Sequence, residues 1–298
     1  MTSSRLWTCL ALVAVFALVS EARADGDTYR DLDERICPVL DMPFPAHEGL
    51  YGGFVPEAST TASGWGELAA IEFGAWVRLF NWENDWGGDL DTQIQWDTIL
   101  LRMSETSDTF PLSMGRLYLQ WSQRFDGGFG FELDASPGVY SALQSLDGED
   151  LAVPFGGSLV YAFAPWVAIW GGASVYPTFK QKVDPRVGVR LAYRDRVIFD
   201  AAYPEPRLVL KPFSFLRLTA GGRASLWPEY NLGDDTRECL YYEELRAYGG
   251  LDIALGEYVE IGLQGGYVFN RKIRFRETAP DVDVDDAPFV RLGLHGHF

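Results

Sequence analysis

Few residues in this chain have the chemistry to bind or catalyse. It carries three histidines, His47, His295 and His297. His295 and His297 form a His-x-His pair beside the C-terminus. On a strand the two imidazoles would share one face about 7 Å apart, a spacing that can chelate a metal. Glu260 is the one further donor that a neighbouring strand offers, and polar lining of an interior is the simpler role. No metal and no cofactor is therefore assigned. A hydrolase triad is disfavoured in the same way. The general base would sit at the wrong end of the molecule, and His47 precedes the structured region. Neither a Gly-x-Ser-x-Gly elbow nor a Gly-x-x-x-x-Gly-Lys phosphate cradle occurs. No enzyme is expected.

The remaining chemistry is charge at alternating positions. From about Gly64 the chain becomes a series of runs of roughly ten residues that alternate apolar and polar, separated by turn residues. Strand side chains alternate faces, so each run has one oily and one wet side. In the last run Val290, Leu292, Leu294, Gly296 and Phe298 oppose Arg291, Gly293, His295 and His297. Earlier runs set Leu245, Ala247, Gly249, Leu251 and Ile253 against Glu244, Arg246 and Asp252, and Leu216, Leu218 and Ala220 against Arg217 and Arg223. Near the start, Ile71, Phe73, Val77 and Leu79 oppose Glu72, Trp76 and Arg78. Glu72, Arg78, Arg217, Arg223, Glu244, Arg246, Asp252, Glu260, Arg291 and His295 thus share the wet parity. Their interspersed signs predict an interior filled by ion pairs rather than a funnel of one sign.

The elements that position these residues are strands of a closed barrel. Beyond residue 19 no apolar run approaches the roughly 20 residues of a spanning helix. A membrane protein without such helices must close its strands, because only helices and barrels satisfy every backbone polar group in lipid. A soluble sandwich also alternates, but here the polar face carries glycine, glutamine and paired charges, as a polar lumen would. The expected fold is all-β: a closed antiparallel transmembrane β-barrel of about 12 strands, with 14 next. Turns at Asp126-Gly127-Gly128, Ala164-Pro165, Arg194-Asp195 and Leu255-Gly256 are short and read as periplasmic. Longer loops near 102–113, 143–152, 178–184, 229–239 and 276–286 read as extracellular. Thirteen runs fit strands, and Tyr51-Gly52-Gly53-Phe54 is the candidate for an extra one. Pro204-Glu205-Pro206 should break two short strands, since proline lacks a donor and fixes φ. Intermediate size predicts a narrow or occluded lumen.

The ends place the molecule. Arg5, the apolar run Leu10–Val19 and Ala22-Arg23-Ala24 form an export signal cleaved after Ala24. Residues 25–63 read as an acidic, largely irregular periplasmic lead-in and 64–298 as the barrel. The chain carries a net charge of −17, and loss of Arg5, Arg23 and Glu21 with the signal leaves it one unit more negative. That excludes nucleic acid as a partner, whose phosphates demand basic surfaces. Cys37 and Cys239 survive processing but fall on opposite sides of the expected membrane, which argues against pairing. Asp281, Asp283, Asp285 and Asp286 mark an acidic loop, with solvation as its simplest role and cation binding as the other.

From about Pro154 onward the chain resembles an uncharacterised family of bacterial outer-membrane β-barrels, a domain of unknown function. The motifs are Asp184-Pro185-Arg186-Val187-Gly188-Val189, Tyr203-Pro204-Glu205-Pro206-Arg207-Leu208, Tyr242-Glu243-Glu244-Leu245-Arg246, Gly266-Tyr267-Val268-Phe269-Asn270-Arg271 and Ala287-Pro288-Phe289-Val290-Arg291-Leu292. Ala142 departs from the acidic residue the family tends to have. The resemblance implies a barrel in the outer membrane and no established activity. The terminal run ending in Phe298, with Leu294, Leu292 and Val290 on its face, resembles a barrel-assembly signal. Expected partners are outer-membrane lipid, lipopolysaccharide and the barrel-assembly machinery. The leading functional expectation is a narrow channel or small-solute transporter. The alternative is a non-conducting structural or surface-adhesion barrel, with an outer-membrane hydrolase behind it.

Overall fold

A computed structural model describes residues 48–61, 66–83, 88–105, 109–125, 127–141, 150–164, 166–177, 183–193, 196–226, 230–231, 239–275 and 281–296. The export signal, Cys37, His47, His297 and Phe298 lie outside the described residues.

The strands follow the alternation. In chain order they are β1 (Glu48–Ser59), β2 (Glu67–Glu83), β3 (Gly88–Met103), β4 (Thr109–Arg124), β5 (Phe129–Ala135), β6 (Gly138–Ser141), β7 (Leu151–Ala152), β8 (Phe155–Ala164) and β9 (Val167–Val175). There follow β10 (Val183–Tyr193), β11 (Val197–Tyr203), β12 (Arg207–Phe213), β13 (Leu216–Leu226), β14 (Tyr230–Asn231), β15 (Cys239–Ala254), β16 (Val259–Phe275), β17 (Val282–Val284) and β18 (Ala287–Gly296). Fourteen of them are staves of a closed antiparallel barrel; β6, β7, β14 and β17 are short additions at the loop end. The sheet closes where β18 pairs with β1, from Glu48↔Gly296 to Phe54↔Val290. Closure leaves no stave with an unpaired edge, the condition a sheet must meet in lipid.

Two expectations change. The count is 14, not 12, because the Tyr51–Phe54 segment belongs to a full stave, β1. The barrel therefore begins at Glu48, inside the stretch expected to be lead-in. Pro56 hid this strand. It sits where the β1–β2 register shifts, between Val55 and Ala58, so its missing donor falls in a bulge. The alternating run that begins at Phe129 is two strands, β5 and β6, broken at Ser136-Pro137. There Ser136 N donates to Pro154 O at 2.8 Å, and Leu117 N donates to Pro137 O at 2.9 Å.

The staves differ in length. β2, β3, β4, β15 and β16 run 16 or 17 residues, whereas β11 and β12 run seven each. About 9–11 residues of tilted strand cross a bilayer. One side of the barrel thus stands as a tall wall above the membrane level, and the side at Pro204–Pro206 is a low one.

Outward residues are exposed and apolar around the circumference: Leu50, Phe54, Phe73, Ile94, Trp96, Leu133, Leu159, Val189, Phe199, Leu218, Leu263 and Leu292 among them. Aromatic side chains crowd the short-turn end. Trp82, Phe163, Trp166, Tyr193 and Tyr258 are exposed there, the Phe125–Phe129 rings stack at 6.0 Å and the Phe213–Phe215 rings at 5.5 Å. An oily band with an aromatic girdle is what lipid selects on the outside of a barrel. The oily stripes do not pack on one another in a two-layer core.

The interior is less uniformly polar than the sequence suggested. On the tall wall, at the loop end, inward positions become apolar. Leu68, Ala70, Ile99, Leu101, Met103, Leu112, Leu240 and Tyr242 join Val268, Ile273, Val282, Ala287 and Phe289 in one buried cluster. That cluster fills the inside of the tall wall beyond the charged layer described next.

Candidate functional site

The charged residues of the wet faces meet inside the barrel. Glu72 on β2 and Arg246 on β15 form a two-pronged ion pair with β16, β18 and β1 between their staves; Arg246 Nη1 donates to Glu72 Oε2 at 3.0 Å. Only an inward projection lets side chains on such distant staves touch. Arg291 on β18 donates to the same Glu72 Oε2 at 2.7 Å, and Glu244, two residues from Arg246 on its stave, pairs with it too. Glu72 and Arg246 are 2% and 5% exposed, so the centre of this cluster of two cations and two anions is buried, with Arg291 at its wetter edge. Arg291 also lies over the Tyr51 ring at 4.4 Å, and Tyr51 donates to Asp97 at 2.7 Å. Gly74 makes that contact possible, since a Cβ there would fall 2.5 Å from the Tyr51 ring and 2.4 Å from Asp97 Oδ1.

A second group lines the opposite wall. Arg186 on β10 takes Asp134 on β5 in a bidentate pair across two staves, with its Nε on Ser174 Oγ at 2.6 Å. Arg190 and Arg207 both hold Asp200, Arg190 through its Nη2 at 3.0 Å and Arg207 through its Nε at 2.8 Å. Such forks fix geometry as well as charge, which is the advantage of arginine over lysine.

The turn end holds Arg78, paired with Asp91 at 2.7 Å, and Arg217, whose Nε donates to Asp252 Oδ2 at 3.0 Å and whose Nη2 donates to Glu260. His295 lies beside these carboxylates, its ring 5.4 Å from that of Trp76. The structure thus gathers Glu72, Glu244, Arg246 and Arg291 into one cluster and Arg217, Asp252, Glu260 and His295 into another, with Arg78 paired separately.

Arg223 stands apart. It stands opposite Arg246 in the β13–β15 register, which places it on the same inward face. It is nevertheless exposed, and among the described residues it makes no hydrogen bond or ion pair. Glu205, from the Pro-Glu-Pro corner, accepts instead from Tyr248 at 2.9 Å.

Val290, Leu292 and Leu294 are exposed on the outer face of β18, and Phe298 lies outside the described residues. In the acidic loop Asp283 lies 3.5 Å from Lys272 and Asp281 3.8 Å from Arg274, while Asp286 accepts from the Asn270 amide at 3.2 Å. Those aspartates face cations and amides of the chain itself. Cys239 is in β15, but its expected counterpart Cys37 lies outside the described residues.

Residue by residue, the sequence named one side of the interior and missed the other. Asp134, Arg186, Arg190 and Asp200 were available by the same parity rule: Asp184, Arg186 and Arg190 share one face of β10, and Glu132 and Asp134 one face of β5.

The fold, the closed hydrogen-bonded wall and the oily exterior define a transmembrane β-barrel of the outer-membrane type. Solved structures with a partial likeness are outer-membrane proteins of low sequence identity. The NanC porin aligns at 7% identity over 84% of this chain and 100% of that one, with a TM-score of 0.42. An outer-membrane channel from Pseudomonas putida F1 aligns at 11% identity, 86% and 96% coverage and TM-score 0.47. A mutant of the TodX monoaromatic hydrocarbon channel aligns at 11%, 84%, 89% and 0.39. No protein-family model and no curated protein matches the chain.

Proposed function

We propose that this chain is exported, loses its signal peptide after Ala24, and serves in the outer membrane as a narrow water-filled channel for small solutes. In this reading it belongs to the uncharacterised barrel family that its motifs resemble. The observation that carries the channel is Arg223. Arg223 faces the inside of the closed wall, is exposed and makes no hydrogen bond or ion pair among the described residues, which calls for water beside it, because an unsolvated charge inside a protein costs several kcal/mol or more. Water inside a closed barrel is the minimum a channel needs. In this reading Arg78, Arg217, Asp252, Glu260, Arg291 and His295 line that path, and the buried Glu72, Glu244 and Arg246 brace the wall beside it. The machinery that inserts barrels reads the terminal strand through Val290, Leu292, Leu294 and Phe298, and lipopolysaccharide surrounds the tall wall. No catalytic role is assigned.

The apolar cluster inside the tall wall favours a second reading, a structural barrel that does not conduct. Planar-bilayer recording decides between them. The channel reading expects a stable ohmic current whose ion selectivity moves toward cations in Arg223→Glu, since the change lowers the charge at one point of the path by two units. Repeated reconstitution of folded protein with no current, or a current indifferent to Arg223→Glu, leaves the structural reading.

A further inference from the structure

Three staves bring together donors that the sequence scatters. Along β15, β16 and β18 the register sets Asp252 opposite Gly262 and Gly262 opposite Gly293, while Glu260 stands opposite His295 one row below. The two glycines clear the floor between the donors. A Cβ on Gly262 would fall 2.5 Å from Asp252 Oδ1 and 3.3 Å from His295 Nε2, and one on Gly293 would fall 2.8 Å from the same Nε2. The imidazole therefore leans over the glycine row toward Asp252. One ligand atom from each of Asp252, Glu260 and His295 lies within 4.8 Å of the other two. Arg217 grips Asp252 by Oδ2 and Glu260 by Oε1. The donors are held by outer partners, as metal ligands are: Arg217 on the two acids and Trp76 against the imidazole.

We propose that Asp252, Glu260 and His295 form a binding site for one divalent transition-metal ion at the turn end of the barrel. One imidazole with two carboxylates is a donor set for zinc, nickel or copper. Calcium and magnesium, which want six or more oxygens, fit it poorly. Small side-chain adjustments bring the three atoms to the roughly 2.0–2.2 Å bonds such ions form, with water completing the shell. The Arg217 side chain is 38% exposed, so water screens its charge against an incoming cation.

The test uses full-length, tag-free barrel folded in detergent, stripped with chelator and checked for its heat-sensitive gel migration. Copper(II) is the spectroscopic probe and zinc the calorimetric one. The expected result is one equivalent of bound copper with a single-nitrogen electron-spin signature. That signature should vanish in His295→Ala and persist in His297→Ala and His47→Ala. Zinc affinity should fall by about tenfold or more in Asp252→Asn and in Glu260→Gln, which keep the shape of the site and decide the matter if the histidine variant fails to fold. The absence of saturable binding, binding that survives His295→Ala, or binding lost in His297→Ala instead overturns the site.

Discussion

Replacing Glu72 by Gln tests the buried charge cluster. The substitution keeps shape and one acceptor oxygen but removes the charge that holds both Arg246 and Arg291. With Glu244 alone remaining, two guanidinium groups face one carboxylate. Removing one partner of a buried pair costs about 3–5 kcal/mol, because the cation left behind is uncompensated. Two features pull toward the lower end. Glu244 still pairs with Arg246, and the Arg291 side chain is 21% exposed, so water reaches it. The expected loss is about 3 kcal/mol. At about 2 kcal/mol per molar urea this moves the unfolding midpoint down by roughly 1.5 M. The assay is reversible urea unfolding in lipid vesicles, followed by tryptophan fluorescence. A double-mutant cycle then isolates the pair. Glu72→Gln with Arg246→Gln should be less destabilised than the sum of the single variants by at least about 1.5 kcal/mol, since the second change removes the orphaned charge. A midpoint shift below about 0.3 M, or additive single effects, would refute the claim that these groups meet in a water-poor interior.

The lipid face is tested by Leu292→Arg, which puts a charge on an outward position 57% exposed. It should destabilise the vesicle-inserted barrel by about 2–4 kcal/mol in the same urea assay, and a change under 0.5 kcal/mol would place that face in water. Glycine contacts give a contrast. In Gly188→Ala the new Cβ meets the Trp170 ring at 2.2 Å and should cost about 1–3 kcal/mol, whereas Gly115→Ala finds nothing within 4 Å and should be near neutral by heat-modified gel migration and urea unfolding. Phe298→Ala should lower the fraction of barrel recovered in the outer membrane of expressing cells while leaving in vitro folding in detergent intact. Equal recovery in cells would remove Phe298 from the assembly signal.

Alternation with a period of two is a local property, and it was enough to give the all-β class, the closed barrel and the outward set around Leu263 and Leu292. A strand's side chains must alternate whatever surrounds it, and an oily stripe on every run has one place to go when no second layer exists to cover it. Parity also put Glu72, Arg217, Arg246 and His295 on one side of the wall. It carried no information on which stave each would reach. Glu72 meets Arg246 across three intervening staves, and Asp252 meets His295 over two glycines. Both meetings depend on stagger around the closed barrel and on the room left by residues elsewhere in the chain. The same limit hid β1, where a bulge absorbs Pro56, and hid the change from charged to apolar filling up the tall wall. Leu68, Ile99 and Leu240 keep inward parity, and only the height at which the staves bring them together makes them a dry cluster. Periodicity thus fixes which way a side chain points. Distance around the barrel and height along it fix what it touches, and those come from pairing registers summed over all fourteen staves.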